Sequence, residues 1–153
     1  MNKKTPDNQL CSNRKAFHNY EILESYEAGI SLLGTEVKSI KNHSASLVDA
    51  YVIEKDDELW LINAYIPPYS HSTAYVPAER RDRKLLMHKT EISKLSRQLA
   101  EKSLTIIPLS LYLKKGKIKV KIALARGKKK YDKREKLKSQ EHKKTIKQAM
   151  KDF

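Results

Sequence analysis

Apolar and polar residues alternate along two stretches of the chain, and each stretch predicts a pair of strands joined by a tight turn. The first covers residues 48–66 with a polar turn at 55–58, and the second covers residues 104–125 with a turn at 114–116. Successive side chains of a strand point to opposite faces, so each strand has one face for a core. The last strand shows this most clearly, with apolar residues at Ile118, Val120, Ile122 and Leu124 and lysines at 117, 119 and 121.

The remaining elements are shorter. Residues 20–27 predict a first strand, residues 34–42 a short helix, and Thr90 is the candidate N-cap of a second helix with one apolar stripe. Residues 67–84 form a long polar loop. Several short antiparallel strands with few helices indicate a mainly β protein, a small antiparallel OB-type barrel with flanking short helices.

The end of the chain has a different character. Residues 126–153 contain 12 basic and four acidic residues, a net charge of +8 out of +14 for the whole chain. Beyond Gly127 there is neither glycine nor proline, and most residues favour helix. We therefore expect a flexible N-terminus at 1–12, an RNA-binding barrel at 13–126, and a basic tail at 127–153 that is disordered when free and helical on a polyanion.

Composition narrows the class of protein. Cys11 is the single cysteine, so no internal disulfide can form and a reducing, cytoplasmic location is expected. The longest apolar-rich run, residues 104–113, is far shorter than the roughly 20 residues of a membrane helix. The charge of +14 and the pI near 9.8 indicate a polyanionic partner, and nucleic acid is the simplest one.

Residue patterns for catalysis and metal binding are weak. The five histidines are scattered, and Thr35 follows Gly34 where a phosphate-binding loop requires lysine. Asp56 and Asp57 lie in a predicted turn. The sequence therefore predicts no metal, no cofactor and no catalytic residues. A ribonuclease using His18 and Glu27 is the enzyme alternative.

Candidate RNA contacts are more numerous. Asn13, Arg14, Lys15 and His18 precede the first strand and offer donors to phosphates and base edges. Tyr131 lies among lysines outside the predicted core, where an aromatic ring can stack on a base. The other candidate phosphate contacts are Arg80, Arg81, Arg83, Lys84 and the lysine face at 117, 119 and 121.

Six ordered motifs identify a known family. They are NRKAFHNYEI at 13–22, YEAGI at 26–30, GTEVKS at 34–39, WLINA at 60–64, RKLLMHK at 83–89 and LARGKKKYDKR at 124–134. Together they resemble SmpB, the SsrA-binding protein family of bacterial trans-translation. The resemblance covers about residues 13–150, nearly the whole chain.

The resemblance implies an adaptor rather than an enzyme. Such a protein binds the tRNA-like domain of transfer-messenger RNA and delivers it to stalled ribosomes, with the tail entering the empty mRNA channel. The implied partners are that RNA, the small-subunit ribosomal RNA at the decoding centre and mRNA channel, and elongation factor Tu in the delivery complex; the protein is expected to be a monomer without membrane contact. The alternative is a general or ribosomal RNA-binding protein without selectivity for a tRNA-like shape.

Site residues carry over by motif. The resemblance assigns Asn13, Glu27, Leu86 and Lys119 to the tRNA-like domain, beside Arg14, Lys15, His18 and Lys84 from the charge pattern. Phe17, Asn19 and His142 depart from residues that many relatives carry. The segment that resembles the decoding-centre contact comprises Gly127, Lys128, Lys129, Tyr131, Asp132, Lys133 and Arg134.

Overall fold

The computed structural model describes residues 8–69, 77–101 and 103–128, and the fold is mainly an antiparallel sheet with short helices. The predicted hairpins and the helix near residue 34 are confirmed. The elements are β1 (Gln9–Ser12), α1 (Arg14–Asn19), β2 (Tyr20–Ile30), α2 (Gly34–Lys41), β3 (Tyr51–Lys55), β4 (Glu58–Ile62), β5 (Arg83–Leu86), α3 (Lys89–Glu101), β6 (Thr105–Lys114) and β7 (Lys117–Gly127).

The seven strands pair in the order β1-β6-β3-β4-β5-β2-β7, and β6 also pairs with β7. Six strands therefore close into a ring, and β1 pairs with β6 at residues 110–112, away from the pairing of β3 with Ile106. The long pairs β2–β7 and β6–β7 form one side of this ring. No helix in the described ranges is long and apolar enough to cross a membrane.

The core lies inside the ring and follows the predicted alternation. Ile118, Val120, Ile122 and Leu124 of β7 are all buried, and the lysines between them are not. The apolar stripe of α3 covers the core with Ile92 and Leu95. Burying one such side chain contributes about 1.5–3 kcal/mol, so this cluster provides most of the driving force for folding.

Both hairpin turns have the geometry that two-residue connections prefer. Asp56 and Asp57 have φ of 54° and 60°, and Lys115 and Gly116 have φ of 51° and 77°. Positive φ at both central positions matches the right-handed twist of the flanking strands. The two aspartates therefore serve a turn, as their position in the sequence predicted.

The N-terminal region differs from the sequence prediction. Strand β1 lies within the segment 1–12 that we expected to be flexible, and α1 was not predicted at all. Helix α1 packs Ala16 on the outside of the ring against a second apolar cluster, in which Ala123 and Ala125 allow close approach. Strand β2 extends to Ile30, beyond the predicted end at residue 27.

The expectation that Arg83 contacts phosphate is wrong, because Arg83 is fully buried. Its Nε donates to Glu36 Oε2 at 2.7 Å, and its Nη1 donates to the carbonyl of Ala64 at 2.8 Å. Glu36 also accepts from Arg81 at 2.5 Å and from the backbone N–H of Leu33 at 2.9 Å, which caps α2. This ion-pair cluster joins α2 to the segment that leads into β5.

Candidate nucleic-acid interface

The candidate interface is the side of strands β5, β2, β7 and β6 that points away from the core, and we call it the outer face. Strand register places Leu86, Gly29, Lys119 and Tyr112 side by side across these four strands. Their neighbours along each strand are buried in the core or partly buried against it, so these four positions point outwards. Leu86 is 53% exposed, which is unusual for a leucine that packing alone would place inside.

The absence of a side chain at Gly29 leaves room for the side chain of Leu86. A Cβ atom on Gly29 would lie 3.2 Å from Cβ of Leu86, so a larger residue would push the leucine away. The result is a small apolar surface beside Lys119 of β7, which is partly buried. Leu86 and Lys119, which are distant in the sequence, thus lie on either side of Gly29 through strand pairing.

Glu27 lies beside this row and is held by two donors. Tyr112 donates its hydroxyl to Glu27 Oε2 at 2.5 Å, and Lys114 Nζ lies 3.2 Å from both carboxylate oxygens. The hydrogen bonds from Tyr112 and then from Lys114 hold the pKa of Glu27 below its usual value. Burial and the bond to Glu27 raise the pKa of Tyr112 above its ordinary range. At neutral pH the pair is therefore a carboxylate and a protonated phenol.

Asn13 is placed differently from the other predicted residues. It is 6% exposed, and its Nδ2 donates to the carbonyl of Pro108 at 3.0 Å. Its backbone N–H donates to the carbonyl of Leu109 at 2.8 Å. Asn13 therefore fixes the start of α1 on β6. The contact lies where the pairing of β6 with β7 shifts register, between Pro108 and Ser110, and this irregularity accommodates the proline in a strand.

The remaining predicted contacts are distributed around the outer face. Arg14, Lys15 and His18 are exposed on α1. Lys84 lies on β5, two residues from Leu86, and pairs with Glu58 at 2.9 Å. Such exposed pairs contribute only about 0–1 kcal/mol, so the lysine remains available to a phosphate.

The segment predicted to contact the decoding centre is described only at its beginning. Gly127 ends β7 opposite Tyr20, and the backbone N–H of Lys128 donates to the carbonyl of Asn19 at 3.0 Å. Lys128 Nζ donates to the carbonyl of Phe17 at 3.2 Å. The tail therefore begins against the end of α1. The predicted contacts Lys129, Tyr131, Asp132, Lys133 and Arg134 lie outside the described residues.

An open groove of about 740 Å³ adjoins Glu27 and is a feature that the sequence did not predict. Phe17 of α1 and Tyr26 of β2 line it together with Ser110 and Tyr112 of β6. Phe17 is 58% exposed although it is aromatic. Tyr26 donates to Glu24, and burial followed by this bond raises the pKa of Tyr26 to about 12. The groove is marked by the exposed ring of Phe17 and the carboxylate of Glu27, which both line it.

Other chemistry finds little support. In the described part of the chain, no three His, Cys, Asp or Glu residues are grouped as metal ligands. Cys11 donates to the carbonyl of Ala45 at 3.4 Å, and burial raises its pKa despite a backbone hydrogen bond that lowers it. A thiol in this state is a poor nucleophile at neutral pH.

Comparison with known proteins gives a consistent result. The family model described as SmpB protein matches residues 10–152. The SsrA-binding protein of Protochlamydia amoebophila is 53% identical, covering 97% of each chain. That of Mycolicibacterium gilvum is 53% identical, covering 87% of this chain and 81% of the relative.

A solved structure agrees with the sequence comparison. It is described as "tmRNA-SmpB: a journey to the center of the bacterial ribosome", and one of its chains superposes with a TM-score of 0.66 at 46% identity. The match covers 78% of this chain and 84% of that one. With a family model that spans nearly the whole sequence and relatives about half identical to it, the chain belongs to the SmpB family.

Proposed function

We propose that this protein binds the tRNA-like domain of transfer-messenger RNA through the outer face and delivers it to stalled ribosomes for trans-translation. Relatives named SsrA-binding protein and the tmRNA-SmpB structure support this proposal. The observation that carries it is the cross-strand placement of Leu86 and Lys119 beside Glu27, because strands distant in the sequence bring these three residues to one face of the sheet. In the same proposal the closed ring is an OB-type barrel.

The chemistry of this face suits a folded RNA. Lysines attract phosphates, whereas the carboxylate of Glu27 accepts hydrogen bonds from 2′-hydroxyls or base amino groups. Leu86 offers an apolar surface to a ribose or a splayed base. A surface that combines these three contacts distinguishes one RNA shape from another, which a purely basic surface does not do.

The tail has a separate task in this proposal. Its net charge of +8 over residues 126–153 suits the ribosomal mRNA channel, and Lys128 starts it at a defined point beside α1. The protein acts as a monomeric adaptor in the cytoplasm, where ribosomes work, with elongation factor Tu in the delivery complex. The ribosome performs the chemistry, and the adaptor contributes only binding and placement.

The general RNA-binding alternative predicts affinity governed by RNA length and salt alone. We expect the tRNA-like domain to bind at least about tenfold more tightly than an unstructured RNA of the same length, and this ratio to persist as salt rises. Competition binding at several salt concentrations measures it. A ratio near one at every salt concentration would support the alternative.

A further inference from the structure

The groove beside Glu27 has the features of a site for one unpaired nucleotide. Its volume of about 740 Å³ lies within the range of small-ligand sites. Phe17 of α1 lines it, together with Ser110 and Tyr112 of β6. The Phe17 side chain is 58% exposed, so its ring is accessible for stacking on the flat face of a base.

The carboxylate determines which bases suit this groove. Tyr112 and Lys114 both contact Glu27 Oε2, whereas Oε1 accepts only from Lys114 among the residues that the structure describes. Oε1 therefore keeps a lone pair for a ligand. An ionised carboxylate accepts hydrogen bonds and cannot donate, so it favours an amino group over a carbonyl oxygen.

We infer that this groove binds one unpaired, amino-bearing base, stacked against Phe17, with its exocyclic amino group donating to Glu27 Oε1. Tyr112 is a positioning residue, since its hydroxyl fixes the orientation of the carboxylate. Uracil is disfavoured, because it presents a carbonyl oxygen where cytosine presents its N4 amino group. The inference rests on the proposed RNA-binding function and names the kind of nucleotide that the outer face selects.

The test uses the full chain and two short RNAs that differ at the base edge, where cytosine has an N4 amino group and an N3 acceptor and uracil has O4 and an N3–H donor. Backbone amide signals of Ser110 and Tyr112 are followed during titration with tricytidylate and with triuridylate, so that binding by the tail does not enter the measurement. We expect about tenfold tighter binding of tricytidylate, the size of one hydrogen bond to a charged group. Glu27→Gln should reduce the preference to within about twofold, because an amide both donates and accepts.

Three further variants separate the parts of the site. Phe17→Ala should weaken both RNAs equally, and Tyr112→Phe should reduce the preference while the protein stays folded. Glu21→Gln is the matched control, because Glu21 lies on the same strand in an exposed pair with Arg126 at 3.9 Å; it should change nothing.

Equal binding of the two RNAs, or absence of shifts at Ser110 and Tyr112, would overturn the inference. The proposed function would still stand if the protein preferred the tRNA-like domain over unstructured RNA. Deoxycytidine trimers could lose binding while cytosine and uracil RNAs bind equally. That result would show that Glu27 contacts the sugar instead of the base, and it would also overturn the inference.

Discussion

Replacing Arg83 with methionine is expected to lower the free energy of unfolding by about 3–5 kcal/mol, measured by urea denaturation at neutral pH. Arg83 is fully buried and donates to Glu36, to the carbonyl of Ala64 and, at 3.2 Å, to the carbonyl of Glu79. Methionine fills much of the space but leaves Glu36 with one cationic partner, Arg81, which is partly exposed. Leaving a buried carboxylate without its main partner lowers the free energy of unfolding more than the loss of an exposed charge does.

The effect should depend on pH. Burial raises the pKa of Glu36, but hydrogen bonds from Arg81, Leu33 and Arg83 outweigh it and hold the pKa below its usual value. A carboxyl group with a lowered pKa in the folded state stabilises the fold above its unfolded pKa and loses this contribution as the pH falls through the folded pKa. The difference in stability between wild type and Arg83→Met should therefore narrow in acid.

Two variants control this experiment. Arg126→Met removes an arginine whose pair with Glu21 is exposed and 3.9 Å long, and it should change stability by less than about 1 kcal/mol. Adding Glu36→Gln to Arg83→Met should recover part of the loss, because the uncompensated charge is gone. A loss no larger than that of Arg126→Met would show that the buried cluster contributes little to stability.

Removal of residues 132–153 should abolish ribosome rescue while leaving binding to the isolated tRNA-like domain largely intact. The truncated chain keeps the outer face, Lys128 and the whole ring, but loses most of the cationic tail proposed to enter the mRNA channel. Peptide tagging on ribosomes stalled at the end of a truncated message measures the first quantity. Equilibrium binding to the tRNA-like domain measures the second.

A full-length control separates charge from helix formation in the tail. Ile146, Met150 and Phe153 are spaced to lie on one face of the helix expected in the tail, and replacing them with alanine keeps every charge and removes that apolar face. We expect this variant to retain binding to the tRNA-like domain and to tag less efficiently than wild type. A large loss of that binding on removal of residues 132–153 would instead place the tail in the primary RNA site.

The hairpins and the core were predictable because period-2 alternation encodes them locally, as Val120 and Ile122 between lysines illustrate. Helix α1 was not, since it has six residues and no side-chain cap, and residues distant in the sequence hold it, through contacts of Asn13 and Ala16 with other strands and through Lys128. The burial of Arg83 likewise depends on Glu36, 47 positions away in the sequence. No local pattern distinguishes such an arginine from its exposed neighbours.

The candidate site was likewise predictable only in part. Glu27, Leu86 and Lys119 were assigned by resemblance. Their proximity follows from the strand register, which cannot be read from a local sequence pattern. The bond between Tyr112 and Glu27 joins residues 85 positions apart. The groove at Phe17 depends on the position of α1, and it was therefore missed together with that helix.

In the proposed function, the outer face selects a tRNA-like shape through Glu27. The most direct measurement compares binding of the pure protein to the tRNA-like domain of transfer-messenger RNA and to ordinary tRNA at one near-physiological salt concentration. It is repeated with Glu27→Ala, and with Glu21→Ala as the control. We expect a preference of about tenfold or more for the tRNA-like domain that Glu27→Ala removes and Glu21→Ala preserves. Equal binding to both RNAs, unchanged by Glu27→Ala, would show that the protein does not select the tRNA-like domain through Glu27.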